Sequence, residues 1–457
     1  MKIGYLPLYI KLYDDGDVDR TVLKKFYEDT TKLFEERGIE VVTSDFCRIE
    51  SEFKTVVKMF EEAEVDAIVT WHAAYSPSLE SVDVLANTKL PIIVFDSTPT
   101  ANFSIKNGTE EIDWNHGIHG VMDMCSMLKR YGKPYAIAAG HYLESDVIDR
   151  VYGFVRSAIA AKKLDGMKVG LVGGAFKGMG DFSVEPAELK KRFGITVETI
   201  EPARLAELSK TVTCDEVQAE IMADRQRFEF DNNVIEEEYE NYTRASLSVR
   251  KYIENDRLGA FSVNFLNVDA EDLGTMPFTE ACKAMERGVG YAGEGDALTA
   301  SFTGALLAGY PETTFVEIFC PVWNKNKVLL SHMGEVNYRI ADGKPLLRRT
   351  GSPFVKKIMP YAGYAKMKPG KGVYVNISRD KDDYQLLLTP CEMLPSKNDI
   401  PHVVRGWMQP ETTNTTAEFL EKLSKNGATH HSTFVYGATV EELEYFAKLL
   451  SLKTVII

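Results

Sequence analysis

Short apolar runs alternate with stretches of helical spacing through the first third of the chain. The pattern predicts strands at Lys2–Tyr5, Ile39–Thr43, Ala67–Trp71, Pro91–Phe95 and Tyr135–Gly140. Between them it predicts helices at Thr21–Arg37, Phe53–Glu64, Pro77–Ala86, Gly117–Tyr131 and Asp146–Ala161. Strand–helix alternation of this kind implies a parallel, doubly wound sheet. The working edge of such a sheet lies at the carboxyl ends of its strands, which here carry Trp71-His72, Asp96-Ser97-Thr98 and Gly140-His141.

A linker is expected near Lys162–Gly166, followed by a second α/β unit. Its strands are predicted at Lys168–Val172, Val197–Ile200 and Ala260–Phe265, and its helices at Glu216–Arg227, Val234–Asn255 and Pro277–Arg287. From about Glu312 the pattern changes to short β-rich runs set among turn residues: Val328–His332, Gly372–Ile377, Gln385–Pro390 and Thr433–Tyr436. These point to an antiparallel barrel or sandwich, closed by a helix over Val440–Leu450 and a strand over Thr454–Ile457. The expected fold is α/β: two consecutive doubly wound parallel-sheet domains (1–165 and 166–311), then a C-terminal antiparallel β-barrel-like domain (312–457).

Composition narrows the class. A chain of 457 residues exceeds one ordinary core, and about three domains of ~150 residues is the natural division. A net charge of -14 argues against nucleic acid or an anionic membrane as partner, since both call for basic surface. The six cysteines are scattered, with no Cys-x-x-Cys pair, so neither a disulfide framework nor a thiolate zinc site is expected. The first residues lack the apolar core of a secretion signal and no apolar run reaches ~18 residues; the expected setting is cytoplasmic.

Candidate chemistry centres on Glu317, a lone acid in the β-branched, apolar run Thr313-Thr314-Phe315-Val316-Glu317-Ile318-Phe319. In a strand Glu317 shares a face with Phe315 and Phe319 while Val316 and Ile318 cover the other, so the strand reads as buried on both sides. A carboxylate there is costly without a paired charge or a metal. Glu294 lies between two glycines, His332 ends an apolar run, and Ala428-Thr429-His430-His431 supplies further imidazole. Each has a plainer reading: a surface acid for Glu294, a hydrogen-bonded core histidine for His332, a buried arginine partner for Glu317. Strand alternation lets at most one of His430 and His431 face inward. Carboxylate and imidazole ligands without thiolate favour Mn²⁺, with Mg²⁺ or Co²⁺ as alternatives. The glycine-rich Gly173–Gly180 stretch fits neither G-x-G-x-x-G nor the P-loop spacing and reads as a turn at a cleft mouth. His72, His116, His119 and His141 are either sugar or phosphate contacts or helix caps.

At these residues the chain resembles the L-arabinose isomerase family, within the wider fucose/arabinose isomerase group. The segments that carry the resemblance are Tyr291-Ala292-Gly293-Glu294-Gly295-Asp296, Thr313-Thr314-Phe315-Val316-Glu317, Ser331-His332-Met333-Gly334-Glu335-Val336 and Gly427-Ala428-Thr429-His430-His431. Weaker similarity runs through Trp71 to Pro77, Gly140-His141, Ala260-Phe261 and Glu271-Asp272-Leu273. The resemblance implies a homo-oligomeric sugar isomerase, a trimer or hexamer. Glu294, Glu317, His332 and His431 would be its metal ligands, and the two glutamates its catalytic acid/base pair. His430 would orient or polarise the site, and His119 would reach the sugar of a neighbouring subunit. Phe176, Phe265, Tyr75 and His116 would also stand at the sugar.

The chain departs from the family where hydroxyls are read. Leu6-Pro7-Leu8-Tyr9 stands where arabinose isomerases carry a glutamine and a histidine, and Asn115-His116-Gly117 stands in a glutamine region. Phe176 lies near a pocket methionine and Tyr75 replaces a phenylalanine. These departures argue against L-arabinose as the substrate. The function expected is metal-dependent aldose–ketose isomerisation of a monosaccharide through an enediol. A metal-dependent sugar epimerase or lyase on the same scaffold, or a non-catalytic sugar-binding protein, is the alternative.

Overall fold

Six consecutive residues after Lys2 are buried in the first strand, β1 (Lys2–Leu8), because it lies inside a sheet covered on both faces. The computed structural model describes residues 1–14, 19–104, 106, 108–269, 273–351, 360–397 and 400–457. β1 is joined by β2 (Glu40–Thr43), β3 (Ala67–His72), β4 (Ile92–Asp96) and β5 (Tyr135–Ala139), all parallel, in the order β2-β1-β3-β4-β5. One face packs Ile3, Tyr5, Val69, Trp71, Ile93 and Phe95 against Phe26, Tyr27 and Phe34 of the helix Thr21–Glu36. The other packs Leu6, Ile68, Ile92 and Val94 against Phe53, Phe60, Val82, Leu85, Met124 and Leu128. Each such side chain removed from water contributes roughly 1.5–3 kcal/mol. Residues 1–159 and 444–451 form one compact unit, and residues 160–443 and 452–457 a second.

The second unit opens with β6 (Lys168–Val172), β7 (Thr196–Ile200), a two-residue β8 (Glu229–Phe230), β9 (Ala260–Val263) and β10 (Gly290–Gly293). Four of these form a parallel sheet in the order β10-β9-β6-β7. The helix Ala297–Gly309, buried at every residue but Ala308, packs on this sheet. A Cβ at Gly290 would stand 2.3 Å from the backbone nitrogen of Gly304, so only glycine lets helix and strand approach this closely. The linker expected at Lys162–Gly166 is instead largely helical: the helix from Val147 continues to Leu164 before Gly166 turns the chain at φ +72°.

The remaining strands are β11 (Thr313–Val322), β12 (Lys327–Ser331), β13 (Leu346–Arg349), β14 (Tyr361–Tyr364), β15 (Gly370–Asp380), β16 (Asp383–Leu394), β17 (Gly406–Pro410), β18 (His431–Tyr436) and β19 (Lys453–Ile456). Six of them run β15-β18-β11-β12-β17-β16, and pairing of β15 with β16 closes an antiparallel barrel; β19 adds parallel to β16. β13 pairs antiparallel with β14 and parallel with β8 in a small separate sheet, in the order β14-β13-β8. Two parallel α/β sheets followed by a closed, mostly antiparallel barrel is the fold class read from the pattern. Among the described residues no helix is long and apolar enough to cross a membrane, and all six cysteines are free thiols.

Candidate metal centre

Register builds the site. Glu317 on β11 stands opposite His431 of β18 on one side and Ser331 of β12 on the other, so the next residue after β12, His332, arrives beside it. His332 Nε2 is 3.9 Å from Glu317 Oε2. Phe315, two residues earlier on the same face, lays its ring 4.9 Å from His332 and 5.0 Å from His431. The strand is not buried on both sides throughout. Thr313 to Val316 are covered, whereas a β-bulge between Ile318 and Cys320 turns the strand outward and leaves Phe319 41% exposed.

Glu294 arrives from the other side. It follows β10 in a Gly293-Glu294-Gly295 turn and adopts φ +63°, a left-handed conformation that costs an ordinary residue about 1–2 kcal/mol. The turn is fastened by Gly295 N–H donating to Ser262 Oγ (2.9 Å) and Phe176 N–H donating to Glu294 O (3.1 Å). A Cβ at Gly295 would meet Gly174 O at 2.5 Å, which places the Gly173–Gly180 stretch against this turn. Glu294 Oε2 lies 3.6 Å from His431 Nε2 and 3.7 Å from His430 Nε2.

Each histidine is held through its other ring nitrogen. His431 Nδ1 donates to Asp296 (2.9 Å), His332 Nδ1 to Glu335 (2.7 Å) and His430 Nδ1 to Asp181 (2.7 Å). Tyr291 donates to the second oxygen of Glu335 (2.9 Å), and Phe182 stacks on His431 at 4.8 Å. At His332 and His431 a carboxylate on Nδ1 fixes the Nδ1–H tautomer and leaves the Nε2 lone pair free, as a metal-ligating imidazole requires.

Donor atoms of Glu317, His332 and His431 lie within 4.8 Å of one another, and so do those of Glu294, His430 and His431. The two groups share His431, whose buried Nε2 has no hydrogen-bond partner. An orphaned imidazole nitrogen facing carboxylates, with no thiolate near, fits a divalent cation of borderline or hard character. His430 precedes the first residue of β18, so strand alternation does not govern it, and both neighbouring imidazoles face Glu294.

The electrostatics of the two glutamates differ. Burial pushes the Glu317 carboxyl above its usual range despite the imidazoles nearby. Burial acts the same way on Glu294, but His430 first, then His431 and His332, outweigh it and hold that carboxyl low. Glu294, acting against burial and joined by Asp181, raises His430 to about 9.

Phe176 and Phe265 face each other at 5.6 Å and, with Glu294 and His332, line a cavity of about 260 Å³. Phe265 lies in a short 3₁₀ turn beyond β9, not within the strand. Tyr75, His116 and His119 belong to the first unit. Tyr75 hydroxyl reaches Asp123 at 3.4 Å. His116 caps no helix N-terminus: its Nδ1 donates back to Ile112 O (2.8 Å), closing the preceding helical turn, and its Nε2 meets the Tyr13 hydroxyl at 3.0 Å. His119 is exposed, 6.1 Å from the His116 ring. Glu271 and Asp272 lie outside the described residues. Sequence reasoning passed over Asp181, Asp296, Glu335 and Asn376 as partners of the histidines. Glu335 had a local signal, three residues from His332, but Asp296 meets His431 across 135 residues. Asn376, inside the barrel, fastens the His430–His431 segment by donating to Thr429 O and His431 O.

Carboxylates and imidazoles converging beside a small cavity form a candidate site for a metal ion. Residues 183–308 match the L-arabinose isomerase central domain and residues 312–453 the L-arabinose isomerase C-terminal domain; the chain belongs to the L-arabinose isomerase family. An L-arabinose isomerase of Shouchella clausii is 23% identical over 93% of this chain and 88% of its own length. Another from Aeromonas salmonicida is 23% identical (85% and 80%), and L-arabinose isomerase 2 of Bacillus licheniformis is 22% identical (86% and 85%). A D-allose-bound periplasmic solute-binding protein from Actinobacillus succinogenes aligns over 67% of this chain and 91% of its own at 11% identity, with a TM-score of 0.18, too slight a likeness to argue from. Family and donor cluster together support a metal-dependent sugar isomerase in general.

Proposed function

We propose that this protein interconverts an aldose and a ketose through an enediol, with Glu294 and Glu317 as the acid/base pair and Glu294, Glu317, His332 and His431 as ligands of Mn²⁺, or of Mg²⁺ or Co²⁺. The observation that carries the reading is the pair of imidazoles held through Nδ1 by buried carboxylates, His332 by Glu335 and His431 by Asp296, with their Nε2 atoms towards the two glutamates. A divalent cation held by Glu294, Glu317, His332 and His431 would supply Lewis-acid stabilisation of the oxyanion charge that develops on the sugar. The chain's own residues do the rest. A carbon acid beside a carbonyl is weak, so the proton needs a positioned carboxylate on one side and a second group at oxygen on the other. One glutamate takes the proton from carbon and the other moves it at oxygen. His430, charged by its position between Asp181 and Glu294, holds Glu294 ionised and in place.

Under this reading Phe176, Phe265 and His430 contact the sugar within the chain. Tyr75, His116 and His119 serve a neighbouring copy in a cytoplasmic homotrimer or homohexamer, whose size sedimentation measures. The decisive experiment is turnover of a panel of aldoses with added Mn²⁺ in D₂O, followed by NMR. Deuterium at C1 of the ketose or C2 of the aldose is expected. Turnover without deuterium would replace proton transfer by a hydride shift, and products that are epimers or fragments would replace isomerisation by epimerisation or lysis.

A further inference from the structure

The segment between β6 and the helix Pro186–Phe193 touches the Glu294 turn, the cavity and both adjacent histidines. It is tied down at its ends. Gly173 N–H donates to Ile200 O (2.9 Å), the Asn267 amide donates to Gly173 O (2.6 Å), and Pro186 opens the following helix. Phe176 and Met179 line the cavity. Asp181 and Phe182 then meet His430 and His431 in the same order. One oxygen of Asp181, Oδ2, accepts from both the backbone N–H (2.9 Å) and the ring Nδ1 (2.7 Å) of His430. Two bonds from one residue to one oxygen close a small ring and fix the imidazole, which leaves Nε2 facing Glu294 Oε2 at 3.7 Å. The His430 side chain is 35% exposed, so packing alone does not hold it there. Phe182 serves the other ring. It is buried and stacks on His431 at 4.8 Å and 7° from parallel, whereas its approach to His430, 5.4 Å and 47°, is no stack.

We propose that Asp181 and Phe182 are positioning residues with divided duties: Asp181 aims His430 at Glu294, and Phe182 fixes the plane in which His431 offers Nε2 to a divalent cation. This rests on the isomerase reading for the chemistry at Glu294, while the placement of the two rings stands apart from it. A reacting group is sensitive to small displacements, and a misplacement of about 1 Å can cost about a hundredfold in rate. Asparagine at position 181 keeps an oxygen able to accept both His430 bonds, whereas alanine keeps neither. The two substitutions therefore separate aim from charge.

The test uses the full-length protein and three readouts: crystal structures of the variants, calorimetric titration with Mn²⁺ alone, and turnover of the aldose panel. In Asp181→Ala the His430 ring should leave Glu294 and kcat should fall about 10–100-fold, with Mn²⁺ affinity unchanged. Asp181→Asn should return the ring to Glu294 and recover most of the lost kcat. Phe182→Leu should keep His430 in place and weaken Mn²⁺ binding about two- to tenfold, the worth of an aromatic pair; Phe182→Tyr, which keeps the ring, should bind as the parent does. If Phe182→Leu does not fold, the flexible Phe182→Met is titrated instead. A His430 ring still on Glu294 in Asp181→Ala overturns the role of Asp181, as does an Asp181→Asn protein that behaves like Asp181→Ala. Unaltered Mn²⁺ binding in folded Phe182→Leu or Phe182→Met overturns the role of Phe182. Equal losses of Mn²⁺ affinity in Asp181→Ala and Phe182→Leu overturn the division between them. Failure of the parent protein to turn over any aldose removes the isomerase reading, and the crystal structures and titrations still decide both positions.

Discussion

The second unit buries two clusters of carboxylates, and they are neutralised differently. In one, Glu220, Asp224 and Glu280 meet Arg250, Lys283 and Arg287: Arg250 reaches Glu220 and Glu280 at 2.7 Å, Lys283 reaches Glu220 and Asp224 at 2.6 Å, and Arg287 pairs with Glu280. Three negative side chains face three positive ones. In the other, Glu294, Glu317, Glu335 and Asp296 have only imidazoles as basic partners within 4.0 Å among the described residues. Buried charge that is paired and hydrogen-bonded is structure; buried charge left short of a counter-charge needs another explanation. A divalent cation bound at the second cluster would supply that shortfall, and the first cluster shows how this chain neutralises acids that serve the fold alone.

Breaking one member of each cluster should therefore have opposite consequences. Lys283→Met leaves Asp224 and Glu220 buried against a missing cation and is expected to cost about 3–5 kcal/mol of stability, read as a lower denaturant midpoint. Glu317→Gln should leave the stability of the metal-free protein unchanged or slightly raised. Its carboxyl is pushed up by burial, and a carboxyl raised in the folded state opposes folding above that raised value. The same substitution should lower kcat about 10²–10⁴-fold. A Glu317→Gln protein that unfolds as readily as Lys283→Met would erase the contrast.

Acid sharpens it. Burial works to raise Glu220, but Arg250 and Lys283 outweigh it and bring the carboxyl from 4.5 down to about 2. A carboxyl depressed in the folded state stabilises above its unfolded value and loses that contribution as pH falls through its folded value. The loss should run from about pH 4.5 to about 2 and amount to roughly 3 kcal/mol, offset in part by the upward shift that burial gives Asp224. Glu220→Gln should flatten the fall in urea stability between pH 5 and pH 3.

The same physics decides what could be read from sequence. A lone acid in an apolar strand is anomalous whatever surrounds it, so Glu317 was legible, and so was the strand–helix alternation of the first unit. The helix Ala297–Gly309 was not, because a helix buried at every residue but one has no polar stripe to set its period. β15 was read as ending at Ile377 because buried Ser378 and the charged Arg379 and Asp380 break the apolar pattern, and β16 as ending at Pro390 because proline rarely continues a strand; Asn376 and Gln385 satisfy their amides inside the barrel. The partners of the histidines were hidden for a different reason. Asp181 and Asp296 lie 249 and 135 residues from the imidazoles they hold, and no local spacing announces such a pair.

Asp296 offers the finest test, because one side chain serves both purposes. Its Oδ1 accepts from Thr299 N–H (2.8 Å) and caps the helix Ala297–Gly309, while its Oδ2 accepts from His431 Nδ1 (2.9 Å). Asparagine caps a helix about as well as aspartate, so in Asp296→Asn the amide oxygen keeps Thr299 and the fold. The amide nitrogen must then face His431 Nδ1 as a donor. That forces the proton onto Nε2, where it blocks the lone pair directed at Glu294. Mn²⁺ affinity should fall about 10–100-fold, equivalent to about 1.4–2.7 kcal/mol, with an unchanged denaturant midpoint for the metal-free protein. Titration calorimetry beside urea unfolding separates the two roles: unaltered Mn²⁺ binding in a folded Asp296→Asn protein would mean that His431 takes no part in holding the ion.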